Sequence, residues 1–178
     1  MIILELLVFL ITIIFLSLSF SGIGSLITFN TKSDFFINIF FGFIVVSLIV
    51  TFIHFFSKIN FLISGSIILV GITLVFWKKN PLISFKKKTS ILFLVVIFLL
   101  LPIFISQKYH EDFGYYHLPY SLAFIEEKIV FGFANIDLPY VYNSIWLNLY
   151  PIFFIENKNF DFLTLPSFLL FLSFIIFS

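Results

Sequence analysis

The chain contains no cysteine and no arginine, a single methionine and two tryptophans among 178 residues. Without cysteine there can be no disulfide, no thiolate metal site and no cysteine nucleophile. Without arginine, any phosphate held by this segment must be met by lysine, backbone N–H groups or a metal, never by a bidentate guanidinium. Charge is scarce as well, at 11% of residues, and the net charge of +1 argues against a nucleic-acid partner. Soluble domains carry about 25% charged residues and roughly 45–50% apolar ones.

What fills the chain instead is hydrocarbon. Hydrophobic residues make up 61% and mean hydropathy is +1.19. A small domain in water buries only about 70% of the surface its unfolded chain exposes, so a soluble fold has nowhere to hide this much apolar area. The composition predicts an all-α, polytopic membrane protein whose surroundings are membrane lipid. The thirty phenylalanines read as a compositional bias and are given no functional weight.

A helix needs about 20 apolar residues to cross ~30 Å of hydrocarbon. Ile2 to Phe29, Phe35 to Phe56, Ile59 to Trp77, Ile91 to Ile105 and a last segment from Phe162 are the candidates, about five transmembrane helices in all. The first has no basic residue ahead of its core and is longer than a signal-peptide core, so it reads as a retained helix. Its small-residue patch, Ser21 to Ser25, reads as a close helix contact or a local break rather than a functional hinge. The turn at Ser57-Lys58 is so short that the second and third spans are expected to be antiparallel neighbours. His54 at the end of the second span reads as an interfacial residue. The last segment is still apolar at Ser178, which suggests a fragment of a longer protein.

Five of the ten lysines fall between Trp77 and Ser90. The positive-inside rule places that loop in the cytoplasm, although a polybasic loop could also recruit anionic lipid. Counting from it, the stretch after Ile105 emerges on the external, periplasmic face of an inner membrane, and the N-terminus comes out on that same side. Three regions follow: 1–106, a four-helix membrane region; 107–159, an external loop; and 160–178, a final helix.

Within this loop, the stretch from Tyr109 to Phe154 collects five of the nine acidic residues and two of the three histidines. Pro119 suits the first turn of a helix, and Leu118, Leu122, Ile125 and Ile129 then share one face, with Ser121, Glu127 and Lys128 away from it. That pattern predicts a short amphipathic helix lying on the membrane surface. A second begins near Asn143-Ser144, good N-cap residues, and runs towards Ile155 as a surface or partly embedded helix. At the head of the loop His110, Glu111, Asp112 and His117 gather. They could ligate a divalent metal through His110, Asp112 and His117, although the spacing fixes no full ligand set. Alternatively, Asp112 could serve as a general base whose pKa is raised in the partly dehydrated interfacial layer. They could also simply solvate a loop whose tyrosines anchor it.

The motifs D-F-G-Y-Y-H-L-P, G-F-A-N and Y-N-S-I-W-L, in that order, resemble the first external loop of bacterial membrane glycosyltransferases of the GT-C type. The similarity is to uncharacterised multi-spanning members, and to their amino-terminal part only, over roughly Tyr109 to Leu172. It implies a fold of many transmembrane helices and transfer of a sugar from a polyprenyl-phosphate-linked donor at the external face, sometimes with a divalent metal. Asp112 takes the position of the family's loop aspartate, base or positioner for the acceptor. His117 and Glu111 stand beside it as secondary catalytic candidates. Tyr116, Asn135 and Asn143 fall at positions expected to contact substrate. The chain departs from the family in having fewer spans, and more of them ahead of the loop. Two other readings stay open: a non-catalytic membrane subunit or remnant, and a polysaccharide polymerase or export component.

Overall fold

The structure, a computed structural model, describes residues 2–28, 34–78, 87–105, 118–130, 132, 149–153 and 165–177. These form α1 (Ile2–Gly24), α2 (Phe35–His54), α3 (Phe61–Lys78), α4 (Lys87–Ile105), α5 (Leu118–Glu126), α6 (Tyr150–Phe153) and α7 (Leu165–Phe177). No strand occurs among the described residues. The expected spans are therefore all helical. In α1, α2 and α3 the stretches Leu7–Gly24, Phe35–His54 and Phe61–Lys78 are long and apolar enough to cross a membrane. The apolar parts of α4 and α7, Ile91–Leu100 and Leu165–Ile176, are shorter.

Helix is the only open-ended structure that satisfies its own backbone in hydrocarbon, and the ends of these helices are finished individually. Asp34 caps α2 with its backbone extended, its Oδ1 accepting the Phe36 N–H at 2.8 Å. Asn60 does the same for α3 through the Ile63 N–H at 3.0 Å. At the far end of α2 the Phe56 N–H returns to the Ile53 carbonyl at 3.0 Å, tightening the last turn. The end of α1 is closed from outside, by the Lys78 ammonium donating to the Ser25 carbonyl at 3.0 Å. A cation there also complements the negative end of the helix dipole.

The helices are not arranged as the short α2–α3 turn suggests. α1 packs along both α2 and α3, whereas α2 and α3 barely touch. They are antiparallel, but α1 stands between them. The reason lies in the small-residue patch. Gly22 and Gly24 are two residues apart, hence about 200° around the helix and on nearly opposite faces. A Cβ on Gly22 would collide with the Gly71 backbone of α3, and one on Gly24 with the Asn38 backbone of α2. Gly42 of α2 in turn lies against the Phe20 backbone, and Gly71 against Ser19. The patch is thus the close helix contact expected, serving two partners at once. In lipid, where oil-like exclusion does not drive helices together, such backbone proximity supplies the dispersion contact that does. Thr28 Oγ1 bonding Asn38 Oδ1 at 2.7 Å ties the same α1–α2 corner.

α7 continues the layer on the other side of α2, with α4 beyond it. Phe168 meets Phe9 edge-on, at ring centroids 5.8 Å apart, so α7 starts near the N-terminal end of α1. Phe93 meets Phe36 at 5.8 Å, so α4 starts beside the N-terminal end of α2. The bundle consequently has two distinct ends. One holds the end of α1 and the starts of α2 and α4. The other holds the start of α1 and the turn between α2 and α3. The outward faces are apolar: Phe52, Leu69 and Phe98 are each about two-thirds exposed. Side chains of this kind are stable facing hydrocarbon and costly facing water.

Candidate functional site

The loop after α4 returns to the bundle at two places. The first is α5. Its sheltered face carries Leu118, Leu122, Ile125 and then Ile129, all half-buried, while Glu126, Glu127 and Lys128 are exposed. The amphipathic pattern is as the sequence predicts. What lies beneath it includes protein, however, because α5 packs on α6 and its exit is fastened to the α2–α3 turn. The Glu127 carbonyl accepts a bond from His54 Nε2 at 2.9 Å, and the Ile129 N–H donates to the His54 carbonyl at 3.0 Å. His54 is fully buried. Its expected role as an interfacial residue is therefore corrected: it clamps the loop to the bundle from the end of α2. Gly132 follows with φ of 82°, a left-handed turn that a side-chain-bearing residue adopts only with strain.

The second return is α6. Leu149, Ile152 and Phe153 are essentially inaccessible. Phe153 stacks on Phe20 at 5.8 Å and 26°, and on Phe43 at 6.5 Å and 15°. Phe43 lies eleven residues before His54, so the plug reaches about 16 Å down from the loop end of α2 at the helical rise per residue. That is roughly half of a ~30 Å hydrocarbon core. Of the expected surface or partly embedded helix, the described residues show one turn, and it is buried. Its polar backbone is accommodated by protein, the Ser64 hydroxyl donating to the Pro151 carbonyl at 3.4 Å. Irregular backbone at membrane depth is tolerated when it is buried in this way.

The residues singled out for chemistry, Glu111, Asp112, Tyr116 and His117, and the later Asn135 and Asn143, lie outside the described residues, as does His110. Their positions along the chain relative to the two anchors are fixed all the same. His117 immediately precedes α5, Asp112 stands six residues before it, and Asn135 and Asn143 fall between the His54 clamp and the α6 plug. Among the described residues no group of three His, Asp or Glu side chains could hold a metal. Sequence alone gives neither anchor the role of fastening the loop. The signals available were a histidine in an otherwise apolar span, and an apolar run, Leu149 to Ile155, late in the loop.

The distribution of charge follows the two ends. The end that holds the start of α2 carries six of the ten lysines, Lys32, Lys78, Lys79, Lys86, Lys87 and Lys88, on helix ends and the connections between them, with Asp34 its one acid. The other eight acids and four lysines belong to the start of α1, the α2–α3 turn and the long loop. The loop thus leaves and re-enters the bundle at the end opposite the lysine cluster.

Over its whole length, residues 1–178, the chain matches a domain of unknown function, DUF8201, and it belongs to that family. No curated protein and no solved structure matches it.

Proposed function

We propose that the chain is the amino-terminal part of a membrane glycosyltransferase of the GT-C type, acting on a polyprenyl-phosphate-linked sugar at the external face of the inner membrane. In this reading the Asp112 carboxylate takes the proton of an acceptor hydroxyl as that oxygen bonds the anomeric carbon and the donor phosphate departs. Glu111 and His117 adjoin it. Tyr116, Asn135 and Asn143 contact substrate. A phosphate held by this segment is met by lysine, backbone N–H groups or a divalent metal, since the chain has no arginine.

The observation that carries the reading is the double attachment of the loop. A carboxylate that must meet a lipid-linked phosphate has to be held at the membrane face, because reacting groups need placement within a few tenths of an ångström of contact distance. The His54 clamp lies downstream of Asp112, and the Phe153 plug lies downstream of the two asparagines. Both tie the polar loop to the rigid part of the bundle, at the end away from the lysines that the positive-inside rule assigns to the cytoplasm.

The test has two stages. Single cysteines at Ser84 and Tyr109 report against a background with no native cysteine. In intact cells a membrane-impermeant thiol reagent should label the Tyr109 position and spare the Ser84 position. The reverse pattern would remove both the topology and the glycosyltransferase reading. Asp112→Asn in the full-length protein should then abolish sugar transfer from a polyprenyl-phosphate donor while membrane insertion stays normal. Wild-type transfer by that variant would take Asp112 out of the reaction, and absence of transfer in the parent protein would favour a non-catalytic subunit.

A further inference from the structure

Between α2 and α7 runs an open groove of about 650 Å³, lined by Phe36, Phe40 and Phe41 on one side and Leu170, Phe171 and Phe174 on the other. Phe40 and Phe171 are about half exposed along it, and Phe174 more than half. Its walls make almost no polar demand, since the Ser173 hydroxyl is turned back onto its own helix, donating to the Leu170 carbonyl at 2.8 Å. On α2 the groove occupies the first two turns after the Asp34 cap, within about 10 Å of the helix start at 1.5 Å per residue. It therefore faces the leaflet on the lysine-rich side. Phe36, which forms part of its wall, also touches Phe93 of α4, five residues on from Lys88. The first turn of α4, with Lys87 and Lys88, thus stands next to the groove at the membrane boundary.

The charge at this boundary is unbalanced. Asp34, its one acid, is engaged by the Phe36 N–H at the start of α2, where a negative charge also complements the helix dipole. Lys78 is engaged by the Ser25 carbonyl. The first turn of α4, which holds Lys87 and Lys88, contains no acidic residue.

We propose that this groove seats an acyl chain of an anionic phospholipid from the leaflet on the lysine-rich side, with the lipid phosphate at the level of Lys87 and Lys88. Apolar walls at acyl-chain depth select a hydrocarbon tail, and the lysines favour a negative headgroup near the surface. The site is separate from any used by a lipid-linked donor, which in the proposed function lies at the opposite end of the bundle.

The test uses the full chain reconstituted in vesicles, with Trp77→Phe and Trp146→Phe removing both native tryptophans and Phe40→Trp placing a reporter in the groove. Phosphatidylglycerol with brominated chains should quench the reporter at a roughly tenfold lower mole fraction than brominated phosphatidylcholine. A second reporter, Phe61→Trp, at the exposed loop end of α3, should show no headgroup preference. Lys87→Gln with Lys88→Gln should remove the preference at residue 40. Should that variant not insert, 1 M salt on the parent protein should remove it, because screening then acts over about 3 Å. Equal quenching by the two lipids would overturn the proposal, as would a preference that survives both the lysine changes and salt. A reporter shielded from every lipid in a dimer seen by light scattering would assign the groove to a second copy instead.

Discussion

The seam between α1 and its two neighbours and the attachment of the loop are built on opposite principles. The seam uses what side chains lack. Gly22, Gly24, Gly42 and Gly71 bring three backbones together because no Cβ intervenes. The attachment uses what side chains supply: one aromatic ring packed against two others, one imidazole on a carbonyl, one hydroxyl on another. The first contact is spread over the length of the helices, while the second is concentrated in a few groups. A concentrated contact can fail through one substitution. The seam fails only where bulk is added.

The largest effect is expected from emptying the plug. Phe153→Ala removes a ring that is 2% exposed and leaves a cavity bounded by Phe20 and Phe43. Large-to-small changes of this kind cost about 3–5 kcal/mol when the surroundings relax little. In lipid the loss falls mainly on dispersion. Unfolding in mixed micelles should show the drop, and protease cleavage should appear first around residues 130–150. Cleavage in the α2–α3 turn at the same protein stability would mean that the plug does not hold the loop.

Adding bulk tests the seam, and the molecule contains its own control. Gly71 and Gly65 lie on the same helix. A Cβ at Gly71 overlaps the Ser19 backbone, whereas one at Gly65 meets nothing within 4 Å. Gly71→Leu should therefore force α1 and α3 apart at a cost of about 1–3 kcal/mol or more. Gly65→Leu should be neutral or slightly stabilising, since glycine is a poor helix former. Thermal midpoints of the pair in one detergent would settle it. Equal midpoints would mean that α1 and α3 do not approach as closely as described.

These two tests also separate what could be read from the sequence from what could not. The spans were legible because hydrocarbon leaves helix as the one open-ended choice, and α2 begins at Phe35 as read. The small patch was legible as a contact, but its two-sidedness was not, because it depends on which helices come to lie at Gly22 and at Gly24. The same gap explains the misplaced α3. A short turn fixes where two helix ends meet, not whether a third helix slides between them. The amphipathic face of residues 118–129 was legible from spacing alone. The burial of the plug was hidden for the opposite reason: Asn148 and Pro151 look like interruptions, and only the packing shows that the turn containing Pro151 is buried. Asp112 and its neighbours lie outside the described residues.

The smallest effect is expected at the clamp, and it sharpens the comparison most. His54→Leu keeps the volume and the burial but leaves the Glu127 carbonyl without its donor. A buried acceptor left unmet costs about 1–3 kcal/mol. Here the value should fall at the lower end, because Glu127 is exposed enough for water to replace the imidazole. The Ile129 N–H still has the residue 54 carbonyl to bond, so α5 should loosen without detaching. Amide exchange should quicken over residues 118–130 while α1, α2 and α3 keep their protection. His54→Gln, whose side-chain amide can still donate, should restore part of it. If exchange rose equally along α2, the imidazole would be holding the helix bundle itself, and the division between a distributed seam and a point-fastened loop would not stand.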